Sequence, residues 1–347
     1  MGLKHAIKKR LKWRRAKGSK LASYDRRLPF DGDAEVHVAI VGSERRGLAG
    51  QGKGSPDRYF PKFEYGAIKA GATVAFYQTP SMLLRSLHIH DGRPLAVIFL
   101  YNEEQTQDYP PEATVRLLEE RPRTLVYNSP AVARKIAEKP VTNRILTDAG
   151  IDVPRMSSQA DTPLFSNTIT GSMQPTVVVT QGAAVDPARY NTELIDTRVT
   201  VDGREYFVTL RAMCIAGRVL EVYVFCRPVE DGTPNVHGVD NPLDPDLLNT
   251  IYRQHVQPRM SEIDSLCAKL GSTLGPAFYS HDILLSRDGR LPVCEVGFKF
   301  NTPAMLKHLW PVSSGLDFMR GAFLYDLAEE GARVVVESVH KNRMTNL

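Results

Sequence analysis

No stretch of about 18 consecutive apolar residues occurs in the 347-residue chain, which excludes a membrane-spanning helix. The amino terminus also lacks the apolar core of a secretory signal, so export by that route is not expected. Cysteine is scarce: Cys214, Cys226, Cys267 and Cys294 each stand alone in an apolar segment, and no CxxC pair exists. That excludes a disulfide framework and points to reduced, packed thiols in a cytoplasmic protein. Gly-x-Ser-x-Gly and His-Glu-x-x-His are both missing, so no recognisable serine nucleophile or zinc-protease helix is present. Gly47 to Gly54 almost spells a phosphate-binding P-loop, but Gly54 stands where Ser or Thr must meet magnesium. His88 and His90 have no Cys or carboxylate clustered with them and read as a surface pair.

The charge that is present is unevenly placed. Residues 1–27 hold eleven Lys or Arg against Asp25 alone, leaving 33 basic and 38 acidic residues in the remainder. A basic tail, residues 1–30, therefore precedes an acidic body. Such an arm stays solvated or meets a polyanion. Leu3, Ile7 and Leu11 recur at helical spacing near Trp13, which allows peripheral contact with an anionic membrane surface. Nucleic acid or a protein partner is the other reading.

Beyond the tail, short β-branched runs (35–42, 72–77, 95–100 and 124–127) alternate with helical segments (63–69, about 81–87 and 111–120). That alternation predicts a parallel sheet with helices on its faces, a Rossmann-like domain over 31–127. Residues 43–62 form a polar, Gly-rich loop suited to the substrate side. Linker helices follow over 128–154, and 155–175 reads as loop. Strands are expected at 176–180, 205–215 and 218–227, the last two joined tightly at Ala216-Gly217. A long helix over 245–270, strands at 280–286 and 291–295, and a helix over 316–330 complete the chain. The fold class is thus α/β, grading to α+β in the C-terminal part. A small subdomain spans 155–212, and a second spans 213–347.

Asp282 and Glu295 lie six residues on either side of the turn Asp288-Gly289. An antiparallel hairpin folded there brings both carboxylates to the same end. Two carboxylates in an apolar setting repel unless a cation stands between them, and magnesium suits such a pair together with phosphate oxygens. An ordinary strand-end ion-pair partnership is the plainer alternative.

This hairpin, with Asp282, Asp288-Gly289 and Glu295-Val296, resembles the metal-binding hairpin of ATP-grasp ligases. D-alanine–D-alanine ligase, glutathione synthetase and the ribosomal-protein glutamate ligases belong to that superfamily. Other stretches resemble it in the same order: Asn128 to Pro154 with Lys139, Tyr190 to Ile195, Arg211 before the hairpin turn, and Arg227 closing the next strand. The resemblance implies an ATP-grasp domain of two α/β subdomains that closes on ATP and Mg2+. It implies that Asp282, Glu295 and, through a bulge, Asn301 hold the metal, and that Lys139 reaches the ATP phosphates. Glu193, Leu194 and Ile195 would form the adenine hinge. Arg211 and Arg227 would grip the transferred phosphoryl group, a task suited to a planar, permanently charged guanidinium. The implied reaction is ATP-dependent ligation of a carboxylate to an amine through an acyl-phosphate, with small-molecule or peptide substrates; members of the superfamily are often homo-oligomers, and the oligomeric state of this chain stays open. Three departures stand out. Gly297 occupies the family's asparagine position, residues 176–180 carry no lysine, and Thr170-Gly171-Ser172-Met173 is a short flap. Those departures also suit a catalytically degenerate binding or scaffold protein, and another α/β nucleotide-using transferase is a third reading. In the plainer readings Arg211 and Arg227 are hairpin partners, Lys139 is solvated, Glu193 faces solvent and Asn301 is a turn residue.

Overall fold

A computed structural model describes residues 34–45, 48, 60–171, 176–298, 309, 311–319 and 325–345. The basic tail, most of the Gly-rich loop at 43–62, Ser172 and Met173 of the flap, and Asn301 lie outside the described residues.

The first unit is the expected parallel sheet. Its strands β1 (Val36–Val41), β2 (Ala72–Tyr77), β3 (Leu95–Phe99) and β4 (Thr124–Tyr127) pair in the order β2-β1-β3-β4, every pair parallel. All residues of β1 and β3 are buried, which is why they read as unbroken apolar runs rather than alternating ones. Helices α1 (Phe60–Lys69), α2 (Pro80–Arg85) and α3 (Glu112–Glu120) form the crossovers. Thr79 caps α2 by accepting from the Met82 amide, and Pro80 supplies a first-turn residue whose missing N–H is no loss.

Asn128 joins this sheet to the rest of the protein. It adopts a left-handed conformation (φ 55°), and its amide side chain donates to the Phe99 carbonyl (2.9 Å) and accepts from the Phe278 N–H (2.8 Å). Helices α4 (Pro130–Ile136) and α5 (Lys139–Asp148) follow, and Gly150 at φ 66° ends the segment.

A small antiparallel sheet comes next, in the order β6-β5-β7, from β5 (Leu164–Asn167), β6 (Val177–Val179) and β7 (Tyr190–Glu193). Strand β5 lies inside the stretch expected to be loop. Its Ser166 and Asn167 carry no strand signal, and pairing with β6 and β7 makes it extended. Strand β8 (Arg198–Val201) was not expected either; it pairs with the start of β9.

The largest sheet has the order β10-β9-β11-β12, with β8 also on β9. Strands β9 (Arg204–Ile215) and β10 (Arg218–Pro228) meet at Ala216 and Gly217, whose φ values of 49° and 84° make the primed turn that matches strand twist. Strand β9 runs through the expected subdomain limit at 212 and belongs whole to this sheet. The helix expected over 245–270 is broken. Helix α6 (Pro245–Ile251) gives way to a π-turn (Tyr252–Val256) and a 3₁₀ turn (Gln257–Arg259) before α7 (Met260–Leu274). Pro258 has no N–H to give and its ring crowds the preceding turn, so the ladder widens there. Strands β11 (Phe278–Leu284) and β12 (Val293–Gly297) form the carboxylate hairpin.

The closing helix, α8 (Tyr325–Thr345), starts and ends later than the expected 316–330; described residues 316–319 are turn-like. It returns to the first unit. Gly66 of α1 is so close that a Cβ there would lie 2.5 Å from the Glu329 Cα, and Lys69 pairs with Glu329 at 2.9 Å. One apolar core accordingly runs from Val36, Val38 and Ile40 through to Leu210, Phe225 and Ile283, while Ala39, Val41, Leu83 and Leu118 fill a second core on the opposite face of the parallel sheet.

Candidate functional site

Side chains alternate between the faces of a strand, so residues directly opposite one another share a face. Asp282 pairs with Glu295 across β11 and β12, and with Arg211 across β11 and β9. The three charged groups therefore stand side by side on one face of the sheet. Arg211 forks onto Asp282, Nε to Oδ1 at 2.6 Å and Nη2 to Oδ2 at 2.7 Å, with both side chains about one-sixth exposed (16% and 17%). Its guanidinium also lies over the Phe225 ring, 5.1 Å from the centroid. Burial alone would favour the neutral form of Arg211, but the charge and hydrogen bonds of Asp282 and the charge of Glu295 more than reverse this. It stays a cation. Burial, reinforced by those same carboxylates, pushes the neighbouring Cys294 thiol well above its usual range, so it is no thiolate nucleophile at neutral pH.

Of these three groups Glu295 alone lines the cleft that opens between the units; Arg211 and Asp282 are not among its lining residues. Glu295 and Val296 form one wall, Lys139, Asn143 and Tyr190 line the other side, and Glu103 and Glu104 stand at the carboxyl end of the parallel sheet. Lys139 is the first residue of α5; it is buried, and its Nζ donates to the Gly171 carbonyl at 2.6 Å. The solvated reading of this lysine does not hold. One turn along α5, Asn143 donates to the Pro154 carbonyl and to the Tyr190 hydroxyl, both at 2.8 Å.

The other sequence candidates sit elsewhere. Arg227 is on the same face as Arg211 but is held by a loop, donating to the Asn235 and Asp231 carbonyls (3.2 Å each) with Asp240 at 3.9 Å. It does not line the cleft. In the expected hinge, the Glu193 amide donates to Arg155 (2.8 Å) and the Leu194 amide to Pro163 (3.2 Å), while Ile195 is buried. The Glu193 carboxylate accepts from the Arg155 amide at 3.2 Å and lies 3.7 Å from Arg290, so it takes part in a surface network with Asp152 and Asp288. Glu103, Glu104 and Asn143 were not foreseen. Two consecutive acids just beyond a strand's carboxyl end, and an asparagine four residues after Lys139 on one helical face, were the available signals.

No family model matches the chain, and no curated protein does. Among solved structures, the chain is similar to the RimK domain ATP-grasp protein of Sphaerobacter thermophilus, at 14% identity and TM-score 0.42 over 86% of this chain and 99% of that one. The likeness is to ATP-grasp ligases. A complex of the ATP-grasp ligase PsnB with minimal precursor, Mg and ADP gives 14% identity and TM-score 0.46, covering 90% and 99% of the two chains. The D-alanine–D-alanine ligase of Bacillus anthracis complexed with ATP gives 12% and 0.46, covering 88% and 99%.

Asp282 and Glu295 face each other, and each Asp282 oxygen keeps a lone pair beyond the one Arg211 takes. Oxygen ligands of this kind, few in number and beside a cleft, fit magnesium that keeps phosphate or water oxygens for its remaining positions.

Proposed function

We propose that the protein is an ATP-dependent ligase that joins a carboxylate to an amine through an acyl-phosphate. The observation that carries this reading is the triad on one sheet face, in which Asp282 faces Glu295 and Arg211 forks onto Asp282. Mg2+ would be held by Asp282 and Glu295, where it supplies neutralisation of the charge on the transferred phosphoryl group. Arg211 in the free protein neutralises Asp282. On nucleotide binding its fork would turn to the phosphoryl oxygens, which match carboxylate in geometry. Lys139, now donating to the Gly171 carbonyl, would exchange that acceptor for a phosphate oxygen. Glu103 and Glu104, across the cleft from Glu295, would hold the amine substrate by its N–H groups. Arg227 would steady the loop at 229–240 instead of touching phosphate.

The test is ADP release from Mg-ATP in the presence of pooled amino acids, peptides and carboxylic acids. ADP that forms only with a particular acid–amine combination supports the ligase. A second reading, nucleotide binding without turnover, draws on Gly297 beside the metal hairpin and on the lack of a lysine in Val177–Val179. Tight ATP binding with no substrate-dependent ADP from any pool would favour it.

A further inference from the structure

The opposite face of the same sheet holds a group of side chains that the ligase reading does not use. Cys214 on β9, His281 on β11 and Cys267 on α7 are all buried with no exposed surface, and their donor atoms all lie within 4.8 Å of one another. Among the described residues this is the one such group. His281 stacks on Tyr279 (5.1 Å between ring centroids), yet neither of its ring nitrogens has a hydrogen-bond partner. A fully buried imidazole with both nitrogens unsatisfied is costly, and a metal ion bound to one of them would remove that nitrogen's share.

The backbone brings the three together by a specific device. Cys214 lies two residues before the turn at Ala216 and Gly217, and His281 is its diagonal neighbour on β11, opposite Ala212. Helix α7 presses onto that turn with glycine against glycine. A Cβ on Gly271 would lie 2.5 Å from the Gly217 Cα, and one on Gly217 would lie 3.0 Å from the Cys267 carbonyl oxygen. Only this close approach lets a helix cysteine reach a strand cysteine through the sheet's apolar face.

We propose that Cys214, Cys267 and His281 form a structural zinc site. Charge decides the metal. Two thiolates and a neutral imidazole around Zn2+ make a group of zero net charge, the form an apolar core accepts most readily, whereas Cu+ would leave a net negative charge. Zinc–sulfur and zinc–nitrogen bonds of about 2.3 Å and 2.1 Å place tetrahedral donors roughly 3.5–3.8 Å apart, a modest contraction of the cluster. Binding releases the two thiol protons to solvent. The fourth position falls to a donor other than these side chains.

Full-length protein made in zinc-containing medium should carry one zinc per chain, with two sulfurs and one nitrogen visible in its X-ray absorption fine structure. Cys267→Ser and His281→Asn should lose the zinc, while Cys226→Ser, equally buried but outside the cluster, should keep it. Because either cluster variant could fail to fold, unaltered protein refolded with Co2+ gives a second readout, thiolate-to-cobalt charge-transfer absorption. Zinc that is retained in Asp282→Asn with Glu295→Gln separates this site from the nucleotide site. Protein that binds no zinc on refolding with the metal, or whose mass shows a Cys214–Cys267 disulfide, overturns the proposal.

Discussion

On one face of the five-stranded sheet, Arg211, Asp282 and Glu295 gather opposite charges, and Glu295 lines a cleft. On the other, Cys214 and His281 are sealed under α7. His281 and Asp282 are neighbours in sequence, yet they belong to opposite regimes, because successive strand side chains point to opposite faces. The comparison teaches how one hairpin can serve two purposes. Its odd-and-even alternation keeps charge on the side open to a ligand, and leaves soft, neutral donors on the side closed by packing.

The sharpest way to break this comparison is at the open face. Asp282→Asn with Glu295→Gln should abolish Mg-dependent nucleotide binding and lower ADP release at least ~1,000-fold, about 4 kcal/mol of transition-state stabilisation. Calorimetric titration with Mg-ATP and a coupled ADP assay check it. Unaltered affinity would remove the metal role of the hairpin.

Next in size, Asp282→Asn alone takes from the largely buried Arg211 guanidinium its hydrogen-bonded carboxylate, leaving Glu295 as the neighbouring negative charge. A loss of about 3–5 kcal/mol is expected in urea unfolding, since removing one partner of a buried pair costs far more than removing both. Adding Arg211→Gln to Asp282→Asn should then recover part of that stability without recovering activity. A double variant no more stable than Asp282→Asn alone would show that the pair is not energetically coupled.

At the closed face, Gly271→Ala should cost roughly 1–3 kcal/mol by overpacking, because the new methyl meets the Gly217 backbone at 2.5 Å. Thermal unfolding reads this directly. If Gly271→Ala is neutral, α7 does not seat on the hairpin turn as described.

His90, expected at the surface with His88, is instead fully buried against the parallel sheet and offers a contrast to His281. His90 accepts or donates toward Tyr77 Oη (2.8 Å) and His37 Nδ1 (3.1 Å), and burial with neighbouring positive charges lowers its pKa to about 3 from 6.5. His37 is likewise lowered to about 4 by burial and the charges of Arg93 and Arg121. Between those values and 6.5 the unfolded chain binds protons that the native protein refuses. Stability is therefore full above about pH 6.5 and falls as the pH drops toward 4. Each histidine contributes on the order of 2 kcal/mol of loss at pH 5, and His90→Gln should flatten the slope of urea midpoint against pH. The smallest effect belongs to the exposed Lys69–Glu329 pair, where Lys69→Ala should change stability by under about 1 kcal/mol.

Much of this was legible in the residues. The four parallel strands declared themselves as β-branched runs. Asp282 stands opposite Glu295 as expected, but through a bulge at Cys294, because next to the turn Ile283 already pairs with Val293, one residue out of the register that Asp288-Gly289 alone would give. Strands β5 and β8 were not legible, because short polar strands owe their extension to partners far along the chain. The break at Pro258 was legible in principle, but apolar spacing continued through it and outweighed the proline. For Arg227, the expectation of a phosphate role rested on the resemblance to ATP-grasp ligases. Its side chain is instead taken up by the carbonyls of residues 231 and 235.

By itself, then, the sequence determined the parallel unit and the two hairpins, since alternation and turn chemistry are local and survive without the rest of the chain; the bulge that sets Asp282 opposite Glu295 is not among these local signals. Tertiary structure alone decided that Arg211 forks onto Asp282, that Lys139 and Glu103 share a cleft, and that α7 brings Cys267 to Cys214 and His281. Those meetings depend on how closely packed elements approach. Here a pair of facing glycines and one left-handed asparagine set that approach, and nothing in the periodicity of a single segment encodes it.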